Sequence, residues 1–117
     1  MGRMIRDVTV RKEVNDKLEV EIKDLSAYMN DNYDIYVSGG IWAKDNYKED
    51  ENTSLTVKGD IVDKDGHVLH VIKNWSSRIC LLSGYDGFEL SIVDISRFTD
   101  VDEIVGVRVY AVKNYKS

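Results

Sequence analysis

The apolar and polar positions of residues 55–72, LTVKGDIVDKDGHVLHVI, alternate in two runs joined by Asp63-Lys64-Asp65-Gly66. In the first run Leu55, Val57 and Ile61 fall on one side, and Thr56, Lys58 and Asp60 on the other. After the join, His67, Leu69 and Val71 alternate with Val68, His70 and Ile72. A period of two marks a strand, because successive Cβ atoms point to opposite faces. The join has hairpin chemistry. Asp side chains bond nearby main-chain N–H groups, and Gly66 can take the positive φ that closes a type I turn with a bulge.

Similar runs fill most of the chain. Residues 5–14 are strand-like but heavily charged, as suits an edge strand, and Asn15-Asp16 reads as a turn. Leu18, Val20 and Ile22 alternate with Glu19 and Glu21 to give a core-facing row. Residues 25–29 fit a helical turn or a bend equally, and 31–34 read as a loop. Residues 33–43 form the next strand, carrying Ile35, Val37, Ile41 and Trp42. Gly39-Gly40 interrupts it as a bulge or a close backbone approach. The charged stretch 44–53 predicts a long exposed loop. A further strand spans 75–82, closed by Ser83-Gly84-Tyr85-Asp86-Gly87, and Phe88, Leu90 and Ile92 alternate inward after it. Thr99 followed by Asp100, Asp102 and Glu103 has the form of a capped turn, a short helix or a loop. Val105, Val107 and Val109 mark the last strand.

Seven or eight strands at a spacing of about eight to twelve residues predict a sandwich or a barrel. No long helical period separates them, so pairing is expected to be antiparallel. The expectation is an all-β, single-domain chain over residues 1–117, with room for one short helical turn.

Composition adds bounds. A chain of 117 residues, 43% hydrophobic, can bury a core without staples. The net charge of -5 makes a poor match for a phosphate backbone, so no nucleic-acid partner is expected. Arg3, Arg6, Arg11 and Lys12 are a local exception, read as a solvated first strand rather than an anion contact. Cys80 has no second cysteine to pair with, and its run Ile79-Cys80-Leu81-Leu82 reads as core. The first ten residues lack the apolar core of a signal peptide, and no segment approaches a membrane span. A cytoplasmic protein with no membrane partner is the expectation, or an extracellular one if the sequence is part of a longer exported chain.

Three pieces together resemble the FxLYD-type bacterial immunoglobulin-like domains. They are Ile35-Tyr36-Val37-Ser38-Gly39, then Gly59-Asp60-Ile61-Val62-Asp63-Lys64-Asp65-Gly66-His67-Val68-Leu69, and Phe88-Glu89-Leu90-Ser91-Ile92. The family pattern sets a strand before a D-x-D-G turn and a Phe strand after a Gly-containing loop. The aromatic and Leu-Tyr that the family carries before the turn Asp are Asp60-Ile61-Val62 here. The resemblance implies an antiparallel immunoglobulin-like β-sandwich and brings no catalytic residues; fold alone does not carry function.

Candidate chemistry is sparse. Asp63-x-Asp65-Gly66 suggests a calcium loop, but with Gly66 at position 6 an EF-hand would have Ile61 at position 1 and Ile72 at position 12, both unable to ligate. The segment therefore reads as a turn. His67 and His70, three apart on a strand, face opposite ways and cannot share a zinc ion. No nucleophile elbow, P-loop or dinucleotide fingerprint is present, so the chain reads as a non-enzyme without cofactors. Most carboxylates read as outward solubilising charge. The sequons at Asn52 and Asn74 read as chance matches.

Aromatic residues crowd one stretch: Tyr28, Tyr33, Tyr36, Trp42 and Tyr47. Either Tyr36 or Trp42 packs in the core with the other partly exposed, or the group forms an exposed platform. Tyr and Trp are enriched in binding hot spots and stack on sugars. The function expected is a non-catalytic protein-interaction module of unknown process, with Tyr33, Tyr36, Trp42 and Tyr47 as its contact surface, or self-association through an edge strand. The alternative is a small-ligand or carbohydrate-binding module using the same aromatics.

Overall fold

Alternation sorts the side chains into two stacked sheets in the computed structural model, which describes residues 2–49, 52–73 and 78–115. In chain order the elements are β1 (Arg3–Met4), β2 (Asp7–Val10), α1 (Lys12–Lys17), β3 (Val20–Met29), β4 (Ile35–Ala43), β5 (Thr53–Val62), β6 (Val68–Lys73), β7 (Tyr85–Ile92) and β8 (Gly106–Tyr115). Single 3-10 turns at Ile95–Arg97 and Val101–Glu103 lie between β7 and β8. The first sheet has the order β1-β3-β4-β7 and the second β2-β8-β5-β6. Between them lie Val20, Ile22, Ile35, Val37, Ile41, Val57, Ile61, Leu90, Val107 and Val109, all buried. This is the expected all-β sandwich. No helix of the described residues is long and apolar enough to cross a membrane.

The 63–66 join is the expected hairpin turn. Gly66 has φ +82°, its N–H donates to the Asp63 carbonyl at 3.0 Å, and Asp63 N–H donates to the His67 carbonyl at 3.1 Å. Asp63 Oδ1 accepts from the N–H groups of Asp65 and His67, both at 2.9 Å.

Several expectations need correction. The first strand ends at Val10, and a helical segment, α1, replaces the turn at Asn15-Asp16. Lys12 and Asp16 stand one turn apart and pair at 2.8 Å, the spacing that supports a helix. Buried Asn15 pins this segment to the sandwich, its Oδ1 accepting from Ala111 N–H at 2.8 Å. The β2–β8 pair is parallel rather than antiparallel. Its cause is a change of sheet: β1 pairs with β3, buried Ile5 crosses the core, and β2 continues in the other sheet beside the final strand.

Residues 25–29 belong to β3, neither helical turn nor bend. The register steps from Lys23–Gly40 to Ser26–Ser38, so β3 holds one extra residue, with Asp24 at φ +59°. An inserted residue exchanges the faces: Val20 and Ile22 are buried before it, Ala27 and Met29 after it. The bulge is therefore on β3, and β4 runs through Gly39-Gly40 without a break. The glycines serve close approach instead. A Cβ on Gly39 would stand 2.7 Å from Leu25 Cδ2 and 2.9 Å from Phe88 Cζ.

Of the strand expected at 75–82, residues 75–77 and the Asn74 sequon lie outside the described residues. Residues 78–82 make a single bridge, Ile79 to Leu55. Cys80 is exposed, not core: Ile79 and Leu81 turn inward, so period two sends Cys80 outward. The cap before the second 3-10 turn is Asp100, which accepts from Asp102 N–H at 2.9 Å, rather than Thr99.

Candidate binding surface on the first sheet

Odd-numbered residues of β4 (Ile35, Val37, Gly39, Ile41) face the core, so Tyr36, Ser38, Gly40 and Trp42 share the outer face. Neither Tyr36 nor Trp42 packs in the core. Their neighbours across β3 are Tyr28 and Glu21, and across β7 Ser91 and Tyr85. Tyr28 is 39% exposed, Tyr36 40% and Tyr85 48%, so three rings open to solvent stand on one sheet with half-buried Trp42. Exposed Met4 joins them opposite Tyr28.

The Trp42 and Tyr85 rings lie 4.7 Å apart between centroids, inclined at 45°. Gly40 is the reason they can lie against the sheet. A Cβ there would come within 2.7 Å of the indole and 2.8 Å of the Tyr85 ring. Gly87 stands opposite Gly40 on β7, which completes a floor without side chains. Lys23 Nζ sits 4.6 Å from the Trp42 centroid, a cation–π contact on an exposed face.

The other two residues expected here lie elsewhere. Tyr33 sits at the β3–β4 turn at φ +64°, where Asn30 Oδ1 accepts from Asn32 and Asp34 N–H groups, each at 2.9 Å. Its carbonyl accepts from Ile95 N–H at 2.8 Å. Tyr47 is half-buried against the core, and burial first, then the Glu49 charge, pushes its phenol up to about 12. Thus Tyr36 and Trp42 share one outer face near opposite ends of β4, and Tyr33 and Tyr47 do not reach it. Tyr85 was missed because it reads as part of a turn, yet it shares parity with Gly87 and Glu89, opposite to inward Phe88 and Leu90.

Elsewhere, several charges are paired within the chain. Asp60, read as solvent-facing, is 3% exposed. On the outer face of the second sheet Arg11 pairs with its Oδ2 at 2.5 Å and Tyr110 Oη donates to Oδ1 at 2.9 Å. Burial, reinforced by the Asp60 hydrogen bond, pushes the Tyr110 phenol up to about 12. Arg108 grips both oxygens of Asp7 at 3.2 Å. Of the N-terminal cations, Arg3 donates to the Val101 carbonyl at 3.0 Å and Lys12 joins Lys44 on Asp16, lowering that carboxyl through those hydrogen bonds.

Asp63, Asp65 and His67 bring potential ligand atoms within 4.8 Å of one another. The Asp63 carboxylate is already engaged by the turn. Burial would raise its pKa, but the N–H groups of His67 and Asp65 outweigh that and hold it below the ordinary value. His70 is apart from this group, stacked on Phe98 at 4.4 Å. Comparison with protein-family models, curated proteins and solved structures finds no match.

Proposed function

We propose that this protein is a non-catalytic interaction module that presents Tyr28, Tyr36, Trp42 and Tyr85 to a partner protein. One observation carries the reading: four aromatic side chains occupy one outer sheet face, over a glycine floor that keeps two of the rings side by side. Exposed aromatic patches rimmed by charge favour protein contacts, and Glu21, Lys23 and Glu89 supply such a rim. The change of sheet by the N-terminal strand and the D-x-D-G hairpin favour kinship with the FxLYD-type sandwiches, whereas the pairing of β3 with β4 and of β5 with β8 departs from the immunoglobulin grouping of strands ABED and CFG.

The test is capture from a lysate of the source organism with the tagged chain, followed by calorimetry on the partner identified. A Tyr36→Ala/Trp42→Ala variant with an unchanged urea midpoint is expected to lose that partner. A partner held equally by both refutes the reading.

A saccharide module is the second reading, favoured by the adjacent Trp42 and Tyr85 rings. Lys23 counts against it, since its ammonium occupies indole face that a sugar would need. In a Trp75→Phe background, emission of Trp42 unchanged by millimolar mono- and oligosaccharides removes it.

A further inference from the structure

The aromatic face of the first sheet carries hydrogen-bond donors with nothing to donate to. Among the described residues the hydroxyls of Tyr36 and Tyr85 and the indole N–H of Trp42 make no hydrogen bond. The indole N–H is open to solvent, since Asn15 Nδ2 is the one buried polar side-chain atom that lacks a partner among the described residues. Each of these three rings therefore pairs an apolar body with a free donor.

The rings stand at two stations. Tyr28 lies opposite Tyr36, and six positions further along β4 Trp42 lies opposite Tyr85. At about 3.3 Å per strand residue the stations are about 20 Å apart. Between them the face is low. Ser26 and Ser38 bond each other at 3.1 Å, and Gly40 faces Gly87.

We propose that the partner segment covering this face is a proline-rich stretch in the polyproline II conformation, lying along β4; this rests on the aromatic face being the contact surface. Polyproline II has three residues per turn and rises about 3.1 Å per residue, so its positions i and i+6 present one side about 19 Å apart. That repeat matches the two stations. One proline covers the Tyr36 ring. The other covers the Tyr85 ring, because Lys23 holds one face of the indole, and Trp42 contributes its N–H. Hydrogen bonding agrees with this occupant. Prolines carry carbonyl acceptors and no N–H, and polyproline II makes no internal hydrogen bonds. An ordinary peptide would bring N–H groups to a face that offers mainly donors. Lys23 and Glu89 repel neither end of an uncharged segment. The conformation is formed before binding, so little entropy is lost on docking.

The test is fluorescence polarisation of a labelled decaproline titrated with the intact protein, beside a Gly-Ser decamer. The expected result is saturable binding of decaproline alone. Its affinity should fall at least about tenfold in Tyr36→Ala and in Tyr85→Ala, fall by less in Tyr36→Phe/Tyr85→Phe, which keeps the rings and removes the hydroxyls, and stay unchanged in Phe98→Ala, an exposed ring elsewhere. Circular dichroism and the urea midpoint check that each variant is folded. No saturable binding, equal binding of the Gly-Ser peptide, or binding indifferent to either Tyr→Ala replacement overturns the proposal. A lysate partner that Tyr36→Ala/Trp42→Ala loses, but that decaproline does not displace from the parent, overturns the proline assignment and leaves the aromatic face standing. A partner kept by that variant removes the face and the proposal with it. A dimer in sedimentation equilibrium that Tyr36→Ala dissolves gives the face to a second copy of the chain and overturns the proposal as well.

Discussion

Replacing Gly66 isolates a single physical term. Its φ is +82°, and a Cβ built there meets nothing within 4 Å. No neighbour has to move, so the cost of a side chain is backbone strain alone. An L residue forced into the left-handed region costs about 1–2 kcal/mol, and a β-branched residue is strained further at χ1. Asn visits this region readily and costs least. The order expected is Asn, then Ala at about 1 kcal/mol, then Val at about 2 kcal/mol. For a chain of this size each kcal/mol shifts Tm by about 3–6 °C. Urea unfolding followed by circular dichroism should show the midpoint falling in that order with the m-value unchanged. Equal midpoints for Gly66→Val and the parent would mean that the hairpin does not close through a left-handed glycine. A large loss in Gly66→Asn equal to that of Val would mean that space, not φ, governs the site.

Removing Arg11 should cost more than neutralising its partner. Arg11→Met leaves the Asp60 carboxylate buried with Tyr110 as its remaining donor, at about 3 kcal/mol, whereas Asp60→Asn keeps an acceptor and costs about 1–2 kcal/mol; urea midpoints showing the reverse order refute this account. Burial raises the Tyr47 and Tyr110 phenols to about 12, above the ordinary value of about 10. Folded phenols therefore hold their protons more tightly than unfolded ones. The stability this gives is present below about pH 10 and is lost as pH rises through about 12. Tyr110→Phe should flatten that decline in urea midpoints measured from pH 9 to 12, and an unchanged slope refutes the assignment.

The hairpin was legible because its alternation and its turn chemistry agree: Asp63 and Gly66 each do locally what the strands around them need. The inward rows of β5 and β8 were legible for the same reason. The aromatic face was not, although the same parity contains it. Reading Trp42 with Ile35, Val37 and Ile41 as one apolar set ignores that 42 is even and the others odd, and parity, not hydrophobicity, decides the face. At β3 parity itself fails, since the extra residue near Asp24 reverses the faces midway and leaves 25–29 without a consistent period. Which strands share a sheet depends on contacts far apart in sequence, and no local pattern encodes the parallel meeting of β2 with β8. Burial of Asp60 was invisible for a related reason: Arg11 and Tyr110 reach it from two other strands or their ends.

The two outer faces of the sandwich differ in how they satisfy their polar groups, and this difference directs the search for a partner. On the second sheet Arg11, Tyr110 and Asp60 complete one another, and Arg108 closes on Asp7. A partner docking there would have to compete with contacts already made, and each exchange returns little. On the first sheet the rings of Tyr28, Tyr36 and Tyr85 stay open to water, and covering them needs no internal pair to break. Burial of apolar ring area stabilises a complex by about 25 cal/mol per Å² before ordering costs. Tyr and Trp lose few rotamers when covered. On the reading proposed above, the first sheet's outer face is where a partner gains most for least rearrangement, while the paired groups of the second sheet's outer face tie β2, β5 and β8 to one another.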